Sequence, residues 1–155
     1  MKYLFALSIV LFSFSSSAQT SDAPSPPVRH CDVMPAFGEC VDVSDVDAYK
    51  CSTVAIMNHL SKDITYPTSA KSAGISGTVY VVFVVEIDGS VSEARVMRSF
   101  KVSAEGADEA IEDLEIEAVR SISELPTFRP GTQDGSPIRV EYVIPVKFAL
   151  NSAFN

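Results

Sequence analysis

The chain has 155 residues, with 20 acidic against 12 basic side chains and a formal net charge of −8. That balance excludes a nucleic-acid binder, which must neutralise phosphates with clustered Lys and Arg, and it disfavours adsorption to anionic lipid. The length suffices for one domain with a real core and not for two.

Residues 1–18 read as a cleaved export signal. Lys2 supplies a short positive start, an apolar run follows that only Ser8 and Ser13 interrupt, and small residues precede Gln19. The run is far shorter than the roughly 20 residues a helix needs to span a bilayer. The mature chain is therefore expected to begin near Gln19 in the periplasm, where thiols oxidise. Cys31, Cys40 and Cys51 are odd in number, so at least one is unpaired or pairs between chains. Their spacing fits neither a zinc ribbon nor a redox pair.

Residues 19–34 contain Pro24, Pro26 and Pro27 among small polar residues and read as a flexible leader. Residues 33–50, with Pro35, Gly38 and several Asp, look irregular. Over 52–62 the residues Val54, Ala55, Met57 and Leu60 recur near helical spacing, and Ser52 is placed to cap the helix. Tyr66-Pro67 ends it, since proline restricts its predecessor. Residues 68–73 add one further turn, stopped by Gly74.

Residues 78–87 are β-branched or aromatic almost throughout, which predicts a central strand covered on both faces. Asp88-Gly89 is a strong hairpin turn, and residues 91–98 return as a more polar strand. A second helix is predicted over 107–124. Ile111, Leu114, Ala118 and Ile122 share its apolar face, opposite Glu109, Glu112, Asp113, Glu117 and Arg120. Pro126, Pro130-Gly131 and Asp134-Gly135 suggest a long turn-rich loop.

The last strand is predicted over 138–150, with a short tail at 151–155. Ile138, Val140, Tyr142, Ile144, Val146, Phe148 and Leu150 fall on one face, and Arg139, Glu141, Val143, Pro145, Lys147 and Ala149 on the other. Pro145 has no amide donor, which places this strand at a sheet edge. The expected architecture is α+β: a small three-stranded antiparallel sheet with two main helices on one face.

Motifs for catalysis are absent: there is no GxSxG elbow, no HExxH and no phosphate-cradling glycine loop. No metal, cofactor or small-molecule substrate is expected. His30, Cys31, Cys40, Cys51 and His59 lack ligand spacing, and Asp42, Asp45 and Asp47 lack the Gly and terminal Glu of a calcium loop. The edge strand is the informative feature. A long apolar edge invites aggregation, and a soluble protein that keeps one can use it to recruit another chain by strand addition. The expected partner-binding residues are Ile138, Arg139, Val140, Glu141, Tyr142, Val143, Ile144, Val146 and Lys147. Arg139, Glu141 and Lys147 are expected to select side chains on the exposed face.

Across residues 35–150 the chain resembles the C-terminal domain of TonB-type energy transducers. The resemblance is carried by Tyr66-Pro67, Ala70, Gly74, Gly77, Asp88-Gly89 with Val91, Val96 and Ala110. It continues through Phe128-Arg129-Pro130, Gly135 with Pro137, and the Ile144-Pro145-Val146 and Phe148 ending. It implies a non-enzymatic domain whose last strand pairs with the TonB box, a short extended segment of an outer-membrane TonB-dependent transporter. Two cysteines bracket the first helix in similar sequences, which implies a Cys40–Cys51 disulfide. An envelope assembly module that uses the same edge to dimerise, or to bind another envelope protein, is the alternative.

Overall fold

The computed structural model describes residues 25–42 and 45–150. The predicted export signal and the tail lie outside them. In order come a 3₁₀ turn (Gly38–Asp42), α1 (Asp45–Asp63), α2 (Thr68–Ser72), β1 (Gly77–Val85), β2 (Val91–Arg98) and α3 (Ala107–Ser123). Three strands follow: β3 (Gly131–Gln133), β4 (Ser136–Ile138) and β5 (Val140–Phe148). The main sheet is antiparallel in the order β2-β1-β5, and β3 and β4 form a separate two-stranded hairpin. The α+β architecture matches expectation.

One face of the main sheet makes the core. Val79, Val81, Phe83 and Val85 of β1 join Tyr142, Ile144, Val146 and Phe148 of β5 beneath Ile56 and Leu60 of α1 and Ile111, Leu114, Ala118 and Ile122 of α3. Among the described residues the opposite face carries no helix, yet Val82 and Val84 are buried there. Register explains it. Arg95 of β2 lies opposite Val82, and Glu141 of β5 lies opposite Val84. The two side chains meet at 3.7 Å across β1. Arg98 likewise lies over the Tyr80 ring, 4.2 Å from its centre.

Several expectations need correction. Helix α1 begins at Asp45, seven residues before its predicted start at 52. Its buried stripe is Ala48, Ser52, Ile56 and Leu60, spaced four apart, whereas Val54 and Met57 are exposed. Small residues form half of that stripe; of the predicted repeat, Leu60 is buried and Ala55 packs against the core. Ser52 is no cap but a buried mid-helix residue whose hydroxyl accepts the Phe37 amide at 3.0 Å. The 124–137 stretch holds a hairpin rather than a plain loop. Asp134 (φ 50°) and Gly135 (φ 75°) both adopt the positive φ that a two-residue hairpin turn requires.

The leader is docked where it is described. Val28 bridges Val140, Val33 bridges Thr132, and Ala36 bridges Arg129. Cys40 and Cys51 are joined as a disulfide that ties the 3₁₀ turn to α1, and Cys31 is a free thiol.

Candidate docking edge of the sheet

Strand β5 pairs with β1 in unbroken register from Val85↔Val140 to Gly77↔Phe148. Among the described residues no other named strand flanks it, so one side is an edge. Which amides face that side follows from two bonds. The Val28 amide donates to the Arg139 carbonyl at 3.0 Å, and the Glu141 amide donates to the Val28 carbonyl at 2.7 Å. Odd positions therefore point their backbone groups away from β1, and even positions point theirs into the ladder. Pro145 is odd, so its missing N–H costs the ladder nothing. Beyond Glu141, the outward groups at Val143, Pro145 and Lys147 have no backbone partner among the described residues.

This geometry sorts the predicted residues. Val140, Tyr142, Ile144 and Val146 are buried, with side chains in the core and amides toward β1, so their backbone donors are already committed. Tyr142 also donates its hydroxyl to the Pro35 carbonyl at 2.7 Å, and burial raises its pKa. Ile138 belongs to β4 and pairs with Gly131, because the chain breaks its strand at Arg139.

Arg139 does not select anything on an exposed face. Its side chain is 7% exposed and bonds Glu86 at 2.8 Å and Glu93 at 2.5 Å. Glu93 reaches it because β2 bulges there: Glu93 adopts φ 51°, and the register slips between Val82 and Val84. Glu141 is partly covered and paired with Arg29 at 2.8 Å. Of the predicted residues, Val143 and the exposed Lys147 are left at the rim, with Pro145 between them.

Beside the rim, between α1 and β5, runs a groove the sequence did not reveal. One part, about 220 Å³, is lined by Met57, Leu60, Ser61 and Ile64 of the α1 side and by Pro145, Val146 and Lys147 of β5. The next, about 430 Å³, is lined by Lys62, Lys71 and Lys147 together with Ile64, Tyr66 and Phe148, and by no acidic residue. Met57, which the sequence shows only as part of a helical repeat, is exposed at this groove.

The motif residues of the resemblance serve the scaffold. Tyr66 donates its hydroxyl to the Ile75 carbonyl and sets its ring edge-on to Phe148 at 5.9 Å. Pro67 precedes α2, and Gly74 ends it with φ 66°. Gly77 leaves room for the Phe100 ring, and Asp88-Gly89 turns the β1–β2 hairpin. Pro130 leads into β3, and Pro137 pairs with Thr132. Among the described residues there is no cluster of His, Cys, Asp and Glu able to hold a metal ion. None of their helices is long and apolar enough to cross a membrane.

The chain is 26% identical over 132 residues to Protein TonB of Haemophilus influenzae, covering 85% of this chain and 46% of that protein. It thus spans about half the length of that curated relative. Among solved structures, a Helicobacter pylori TonB C-terminal domain is 25% identical with a TM-score of 0.42, covering 70% of this chain and 94% of that one. A Pseudomonas aeruginosa TonB C-terminal domain is 22% identical with a TM-score of 0.37, covering 57% and 79%. The family model for the Gram-negative bacterial TonB protein C-terminal matches residues 62–150, more than half of the sequence, and the chain belongs to that family.

Proposed function

We propose that this domain works in the periplasm as a non-enzymatic binding module. It takes the TonB box of an outer-membrane transporter as an added strand along the free part of β5. The observation that carries this is the outward backbone of Val143, Pro145 and Lys147, unpaired among the described residues and flanked by an apolar groove. A strand laid there gains backbone hydrogen bonds at about 0.5–1.5 kcal/mol each. A micromolar contact needs about 8 kcal/mol, so side chains must supply the rest. The Met57–Ile64–Pro145 groove suits an apolar residue of the incoming strand. The lysine-lined groove, centred two residues further along β5, suits an acidic one on the same face of that strand.

The test is a proline at Val143. Its amide points outward, so Val143→Pro removes a rim donor and leaves the β1 ladder complete. Titration with peptides from transporter N-termini should show at least a roughly tenfold loss of affinity. The thermal midpoint should stay within a few degrees of the parent. Undiminished binding by this variant refutes the proposal. An obligate dimer that ignores such peptides would instead support self-association through the same edge.

A further inference from the structure

The open edge of β5 is not wholly open: the chain's own leader holds its first groups. Val28 lies parallel to β5 and takes the Arg139 carbonyl and the Glu141 amide, the same kind of outward groups that Val143 and Lys147 leave free. Arg29 then reaches along β5 to the Glu141 carboxylate at 2.8 Å, after which the chain bends away toward Thr132.

Resting on the strand-addition reading, we propose that residues 25–30 are a resident competitor for the docking edge. An incoming strand longer than the free stretch must displace them. The strap thereby limits how much of β5 a partner can use until it is pushed aside.

The anchoring of this segment suits exchange. Its contact with β5 is a single bridge with two backbone bonds. Its ion pair involves an Arg29 side chain that is 75% exposed, and Val28 itself is 39% exposed. Ion pairs that exposed contribute little. Firmer anchorage begins further on, where Val33 exchanges both backbone bonds with Thr132 and Ala36 does so with Arg129. Residues 25–30 can therefore lift without freeing the rest of the leader. The Arg139 side chain then loses only its bond to the Ser25 carbonyl and keeps Glu86 and Glu93.

Length is the discriminating variable. The free stretch at 143–147 spans about 17 Å, room for about five extended residues. A TonB-box peptide trimmed to about five residues fits beside the strap, and the same peptide with its flanks, about ten residues, does not. Two variants of the whole chain release the strap. Val28→Pro removes the donor to Arg139, and Arg29→Glu places a carboxylate against Glu141.

Both variants should bind the longer peptide roughly five- to tenfold more tightly, because the competent state no longer has to be opened first. The shorter peptide should bind them as it binds the parent. Unchanged or weaker binding of the longer peptide in both variants overturns the proposal. If neither peptide binds the parent or a variant, strand addition itself fails and the competition falls with it.

A measurement without peptide decides separately whether the strap lets go. In hydrogen exchange the Glu141 amide, bonded to Val28, should be at least about 100-fold less protected than the Tyr142 amide, which faces β1. Equal protection would show a permanently paired strap and sink the inference whatever the peptides do.

Discussion

Arg139 illustrates how a charged residue in an alternating pattern can belong to the scaffold. The Glu86 carboxyl, usually near 4.5, is held lower chiefly by the hydrogen bond from Arg139, against the opposing effect of burial. Unfolded chains therefore bind more protons than folded ones just below pH 4.5, and stability rises with pH through that window. It is fully present above the unfolded value and lost as pH falls through the folded one. Arg139→Met should cost about 1–3 kcal/mol at neutral pH and flatten this acid limb. Urea unfolding at pH 3.5, 5.5 and 7 checks both effects, and Glu117 with Arg120 provides an untouched pair of the same sign. Gly89 is a second residue with a defined cost. It sits at φ 83°, and a Cβ there would lie 2.0 Å from the Phe128 carbonyl oxygen. Its own carbonyl accepts the Phe128 amide at 2.8 Å. Gly89→Ala should destabilise by at least about 2 kcal/mol, read as a lower thermal midpoint, because backbone and not a flexible side chain must move.

Among the elements, α1 depends most on what surrounds it. Its first turns contain Ala48 and Ser52 where a free-standing amphipathic helix would carry Leu or Ile. Small residues let the disulfide-tied 3₁₀ turn and the Phe37 strand-like segment approach closely, and Ala36, Cys40 and Ala48 form a separate buried cluster there. Replacing both Cys40 and Cys51 by Ala releases a loop closed at a separation of 11 residues, which should cost about 2–3 kcal/mol. The loss should appear as equal destabilisation of the double variant and of the reduced parent protein in chemical denaturation. Helix α3 presents the opposite case. Ile111, Leu114, Ala118 and Ile122 form an apolar stripe large enough to declare itself, and all four are buried. The β1–β2 hairpin was equally plain because Asp88-Gly89 sits between two β-rich runs. The same dipeptide at 134–135 reads only as part of a turn-rich loop, because the strands beside it are three residues long and β4 holds Pro137.

At the scale of the molecule, the docking edge is defined by where the strands end and by what lies across them. Val143→Pro tests the rim and strap release tests its limit, so the two together map how much of β5 a partner can use. The period of two in β5 determined which side chains are core, and Pro145 determined that one flank is unladdered, since both are local consequences of chain geometry. Alternation cannot say where a strand starts, which distant carboxylates claim an arginine, or whether a leader folds back on an edge. Those outcomes depend on contacts between residues far apart in the chain, as between Arg139 and Glu86 or Glu93, and, for the leader, between Val28 and Val140 or Arg139 and Ser25. Sequence alone thus determined the sheet, its inner face and its exposed flank. Tertiary structure decided how much of that flank stays open, because only closure of the chain brings the segment around Val28 onto the same row of amides as β5.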